Sequence, residues 1–162
     1  MQGTQPSLFR AIAWWTVYAV CGVWAMYLLP GVDFLLPGLL CSMQEGNRPQ
    51  TVWLVLLFTL IQEGAGLLAF GPGLLWYAFA CVLFYLGRSL FEAENIVFIL
   101  ILSAALGAGH VGIGIMMKHL QDVDILLPRL ISDACLNALV IPLVWFVVFR
   151  LRERELRHVN AA

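Results

Sequence analysis

Residues 95–117 read NIVFILILSAALGAGHVGIGIMM, twenty-three positions in which His110 is the one ionisable side chain. A helix that crosses a hydrocarbon core of roughly 30 Å needs about 20 mostly apolar residues. At about 1.5 Å per residue this run reaches roughly 35 Å, so it predicts a spanning helix. The rest of the chain agrees. Of 162 residues, 62% are hydrophobic and 12% charged, where a soluble domain runs at about half apolar and a quarter charged. Nine Lys and Arg and ten Asp and Glu cannot coat a water-soluble surface, and six of them crowd into Arg150, Arg152, Glu153, Arg154, Glu155 and Arg157. This composition excludes a soluble enzyme, a disordered tail and a nucleic-acid-binding module, which needs a basic stripe. The net charge of −1 points to no polyanionic partner.

Outward from that run, five more apolar segments follow the same rule. Ala11 to Leu29 ends at Pro30-Gly31 and reads as a retained first helix rather than a signal peptide, being longer than an h-region and lacking a small-x-small cleavage site. Phe34 to Met43 is short and holds Pro37-Gly38, so it is a broken crossing or a re-entrant piece. Thr51 to Phe70 and Gly73 to Gly87 are joined by a Gly71-Pro72 turn, and Ile125 to Phe149 closes the series with Asp133, Asn137 and Pro142 inside it. No ten-residue alternation suggests a barrel, which leaves helices to satisfy the backbone in lipid. The expected architecture is an all-α integral membrane protein. It is one transmembrane domain over residues 1–162, a bundle of six transmembrane helices with the second short or broken. A basic cytoplasmic tail at 150–162 ends it.

Charge favours six crossings over five. With both termini cytoplasmic, Arg10, Arg48, Arg88, Arg150, Arg152, Arg154 and Arg157 lie inside, against Lys118 and Arg129 outside, a split of seven to two. If Phe34 to Met43 does not cross, Arg10 changes side and the split falls to six to three. The positive-inside rule prefers the first arrangement.

Ionisable residues inside spans usually face a bundle interior or a wet cavity. Glu63 admits two readings: a proton, cation or substrate site, or a shallow structural carboxyl. His110 is expected to donate one interhelical hydrogen bond, with a ligand or proton-relay role as the rival. Beside it, Ala104, Ala108 and Gly112 fall on one face at four-residue spacing, which predicts close helix packing. Arg129, Asp133 and Asn137 are likewise four apart and form one polar stripe. Asp133 either pairs with Arg129 or turns with the stripe toward a partner protein. Pro142 removes a backbone donor and is expected to kink the last helix. The six tryptophans, Trp14, Trp15, Trp24, Trp53, Trp76 and Trp145, are expected to anchor span ends. Cys21, Cys41, Cys81 and Cys135 show no metal spacing and read as packing residues. One histidine without a second ligand is no metal site. With no HExxH, GxSxG or Walker loop, the sequence argues for no catalysis and no cofactor.

Two stretches carry a family resemblance. The first runs from Leu130 to Trp145, LISDACLNALVIPLVW, where Asn137 is followed five residues later by Pro142, then by an apolar run and an arginine-rich end. The second, Ile61 to Gly71, sets Glu63 before small residues, Leu and Gly. Together these resemble the bacterial rod shape-determining MreD family over residues 50–155, with Glu63 where the family usually has Asp and without its nearby Ser. The resemblance implies a six-helix protein of the bacterial inner membrane. Its fold would be like that of the vitamin-binding S components of energy-coupling factor transporters. It implies no catalysis, and as partners an MreC-like bitopic membrane protein and, through it, the peptidoglycan synthase and transpeptidase. The rival function is an S-component-like small-molecule carrier, for which Glu63, Lys118, His119, Asp122, Asp124 and Arg129 would gather on the outer half.

Overall fold

A computed structural model describes residues 8–64, 71–92, 95–121 and 126–160. Among them the chain forms six helices and no strand: α1 Leu8–Leu28, α2 Leu36–Glu45, α3 Arg48–Gly64, α4 Pro72–Arg88, α5 Ile96–Gln121 and α6 Leu127–Asn160. The stretches Phe9–Leu28, Ile96–Leu120 and Leu127–Glu155 are long and apolar enough to cross a membrane, which makes this an all-helical membrane protein. The apolar runs of the sequence each contain a helix, within a few residues of the expected ends. The exception is the last, where α6 continues unbroken past Pro142 and through the arginine cluster to Asn160. Residues 150–160 continue that helix. Residues 65–70, part of the expected third segment, lie outside the described residues.

The shortest helix sits at the centre. Eight successive residues of α2, Leu36 to Met43, are buried, as expected of a helix apolar all round. The longer helices turn single stripes into the same core. On α4 these are Trp76, Tyr77, Ala80 and Phe84. On α6, Leu130, Ala134, Asn137, Ile141, Trp145, Val148 and Arg152 recur at three- and four-residue spacing.

The helices alternate in direction along the chain, as their contacts show. Along α1, Gly22 lies against Leu35 and, earlier in the helix, Tyr18 covers Gly38. Earlier still, Trp14 and Trp15 lie under Arg152, the partner of Glu45 at the far end of α2. In α4 and α5, Phe84 meets Phe98 while Trp76 meets His110. α1 with α2, and α4 with α5, thus run antiparallel, whereas α2 and α6 lie side by side in the same direction. The first end of α1 shares one side of the bundle with the last ends of α2 and α6.

Close approach between α5 and its neighbours depends on three glycines. A methyl at Gly107 would lie 3.0 Å from the carbonyl oxygen of Ala134 on α6, one at Gly109 would overlap the Phe79 ring, and one at Gly114 the Leu130 side chain. The face predicted for packing is a different one. Ala104, Ala108 and Gly112 are exposed, and nothing lies within 4 Å of a methyl built on Gly112. That expectation is corrected: the small residues that let the helices meet are displaced around the helix from the regular four-residue row.

Candidate functional site: a buried polar clasp around Asp33

The sharp corner between α1 and α2 starts with Gly31 at φ +96°, a left-handed backbone that glycine adopts without strain. It delivers Asp33 into the interior, 8% exposed. There Asp33 terminates α2. Its Oδ1 accepts the backbone N–H of Leu35 at 2.9 Å and of Leu36 at 3.2 Å. Pro37 has no N–H to satisfy, and Gly38 donates its own to the Tyr18 hydroxyl at 2.8 Å. That hydroxyl in turn donates to the carbonyl of Phe34 at 2.5 Å. A helix start leaves its first N–H groups without intrahelical partners; here they find side chains, and the helix can begin away from water.

The same carboxyl gathers three other elements. Trp76 on α4 donates its Nε1–H to Asp33 Oδ2 at 2.9 Å, and the Tyr77 hydroxyl lies 3.4 Å from Oδ1. Gln62 on α3 donates to that hydroxyl at 2.8 Å. From α6, Asn137 accepts the Asp33 backbone N–H on Oδ1 at 2.8 Å. Its amide nitrogen donates to the carbonyl oxygens of Gly31 at 2.7 Å and Asp133 at 2.9 Å. Asn137 is 1% exposed, and each of its side-chain polar atoms is partnered by protein. In a low-dielectric interior such a network is strong when complete and costly when broken.

Glu63 closes the α3–α4 hairpin in the same manner. Its Oε1 accepts the N–H groups of Gly71 and Gly73 at 2.9 Å and of Leu74 at 3.2 Å. This places a carboxyl on the N-terminus of α4, where the helix dipole favours it. Among the described residues its buried Oε2 has no hydrogen-bond partner.

A second polar cluster lies at the opposite end. Arg152, 3% exposed, donates its Nε–H to Glu45 Oε1 at 2.7 Å and pairs through Nη1 with Glu155. Its guanidinium lies 5.6 Å from the ring centroids of both Trp14 and Trp15. Gln50 donates to Glu45 at 2.8 Å and Ser42 at 3.1 Å, and Trp145 donates to Gln44 at 2.9 Å. One arginine of the terminal cluster is thus an internal tie.

Of the residues predicted from sequence, Asn137 and Glu63 are buried in these networks. The Arg129–Asp133–Asn137 stripe is not one unit. Arg129 is exposed and forms no ion pair with Asp133, whose carboxyl instead packs against Gly31. Of the two readings of Asp133, the pair with Arg129 is not formed: Arg129 lies in the first turn of α6, beyond the point where the α1–α2 corner covers it. His110 makes no interhelical hydrogen bond among the described residues. It is half-buried, edge-on to Trp76 at 5.3 Å. Trp15, Trp76 and Trp145 are core residues rather than span-end anchors, and Cys21 and Cys135 are exposed rather than packed. Lys118, His119 and Arg129 are all exposed and do not converge with the buried Glu63, while Asp122 and Asp124 lie outside the described residues. Among the described residues no three His, Cys, Asp or Glu side chains come together as a metal site.

Asp33, Trp76, Tyr77, Gln62 and the Arg152–Glu45 pair are the members that sequence reasoning missed. A signal existed for Asp33, which stands just before a Pro-Gly helix start in an apolar run. Its α4 partners carried none. Comparison with known families, characterised proteins and solved structures finds no match to the chain.

Proposed function

We propose that the chain is a non-enzymatic assembly protein of the bacterial inner membrane, serving the cell-elongation complex as MreD-like proteins do. The observation that supports this most directly is the use made of its converging polar side chains. Asp33, Asn137, Trp76 and Glu63 hold helix ends and one another, as ties in a frame, where a carrier needs polar groups turned toward a solute.

In this reading all six helices contribute crossings, and both termini are cytoplasmic. The second crossing is composite. The ten residues of α2 account for roughly 15 Å, about half a hydrocarbon core. The non-helical segment that dips in through Gly31 and Asp33 supplies the rest. Alternating helix directions support this arrangement, as does the collection of Arg10, Arg48, Arg88 and the end of α6 on one side. Labelling of cysteines introduced at Gly46 and Arg48 tests it. Reaction with an impermeant reagent from outside only would sink it.

The function is tested by purifying the tagged full chain from native membranes. The expected result is co-recovery of an MreC-like bitopic protein together with the peptidoglycan synthase and transpeptidase, and rounding of rod cells on depletion. Recovery of a stoichiometric vitamin-sized molecule, with no such partner and no change of shape, would overturn the assembly reading in favour of a carrier.

A further inference from the structure

The burial of Arg152 changes what the end of α6 presents to its surroundings. With that guanidinium turned inward to Glu45 and Glu155, Arg150 and Arg154 remain on the outside, one helical turn apart. Both are exposed, the Arg150 side chain at 60%. Arg150 lies over the Phe146 ring at 5.3 Å. Between the row Phe146–Arg150–Arg154 and the row Val147–Leu151 runs an open groove of about 460 Å³. Glu153 reaches it, but at 3.8 Å and against an Arg150 side chain that is 60% exposed it neutralises little. In the other direction the same face is apolar and uncovered: Val147 is 56% exposed, Leu143 68% and Leu139 66%.

We infer that this face binds an anionic phospholipid, its phosphate held between Arg150 and Arg154 and one acyl chain lying along Val147, Leu143 and Leu139. Two dimensions fit. Residues one turn apart on a helix have side chains about 5–6 Å apart at their bases, close enough for two guanidinium groups to share one phosphate. From Leu139 to Arg150 the helix rises roughly 16 Å, about the depth of one leaflet of a 30 Å hydrocarbon core. Charge supplies the rest of the argument. The row changes from hydrocarbon to cation within a single turn, the order in which a phospholipid passes from chain to headgroup. The inference depends on residence in a membrane and not on the assembly reading.

The test uses the full chain in detergent, with retention of phosphatidylglycerol and phosphatidylcholine measured by native mass spectrometry. The wild-type protein is expected to retain the anionic lipid by at least about tenfold over the zwitterionic one, as two interfacial arginines allow. Arg150→Gln with Arg154→Gln is expected to reduce that preference to within about twofold, while Arg129→Gln, at the other end of α6, leaves it unchanged. If the double variant fails to fold, Arg154→Gln alone carries the test, since Arg154 makes no ion pair among the described residues. A preference that survives the glutamine substitutions would overturn the inference. So would a wild-type protein without preference, or displacement of the lipid by millimolar inorganic phosphate. A dimer that the double variant returns to monomer would assign the face to a second copy of the chain and overturn it as well.

Discussion

Asp33 and Asn137 are separated by 104 residues and joined by a 2.8 Å hydrogen bond from the backbone N–H of one to the side-chain oxygen of the other. That bond ties the corner before α2 to the first third of the final helix. Around it α2 can be both short and buried, because Asp33 and Tyr18 satisfy the helix start and Asn137 satisfies the turn that leads into it.

Asn137→Leu keeps the branched skeleton and removes the polar groups. It strands the Asp33 N–H and the Gly31 carbonyl in the interior. Intramembrane hydrogen bonds are often worth under about 1 kcal/mol, but an unpaired buried group costs more, so the expected loss is ~2 kcal/mol. Unfolding in mixed micelles measures it, and a variant as stable as wild type would contradict the burial of this residue.

Asp33 and Trp76 should be energetically coupled. Asp33→Asn can turn an amide nitrogen toward the indole N–H, setting donor against donor, whereas Trp76→Phe strands Oδ2. In the double variant the first conflict disappears. A four-corner unfolding cycle should therefore show a coupling of about 1 kcal/mol or more, and simple additivity within ~0.3 kcal/mol would refute it.

Glu63 separates charge from capping. Glu63→Gln preserves an oxygen for the N–H groups of Gly71, Gly73 and Leu74 and should stay within ~1 kcal/mol of wild type. Glu63→Ala removes the acceptor and should lose about 2 kcal/mol. Equal damage from both substitutions, read as thermal midpoints, would mean that the negative charge itself matters.

Gly107 and Gly112 should respond oppositely to enlargement. Gly107→Val drives a side chain into the Ala134 carbonyl and should destabilise by ~2 kcal/mol. Gly112→Leu meets open space and should change stability by less than about 0.5 kcal/mol. A reversed order in detergent-solubilised melting would place α5 in the other rotation.

Arg152 and Arg150 make a similar contrast. Arg152→Gln leaves Glu45 and Glu155 without their shared cation and should cost on the order of 3 kcal/mol. Arg150→Gln, exposed and weakly paired, should cost under about 0.5 kcal/mol. Chemical denaturation of the two variants checks the difference.

Hydropathy alone located the helices of this protein, because partition into hydrocarbon is a sum over neighbouring side chains and needs no knowledge of what they face. It also singled out Asn137 and Glu63, since a polar group at membrane depth demands a partner wherever that partner lies. The partners themselves could not be read. Asp33 and Trp76 are 43 residues apart, and no local pattern joins a corner carboxyl to an indole on another helix. Helix rotation was equally out of reach. Gly107 and Gly112 belong to one helix and one composition, yet five residues turn them roughly 140° apart around its axis. Spacing identified a small-residue face, but packing used another, since the bulk of Phe79, Leu130 and Ala138 on the neighbouring helices decides where backbones can approach. The arginines of the last helix divide for the same reason. Sequence determined that they cluster; the tertiary arrangement of Glu45, Trp14 and Trp15 decided that, of Arg150, Arg152 and Arg154, it is Arg152 that turns inward, because there a carboxylate and two aromatic faces replace the water it gives up.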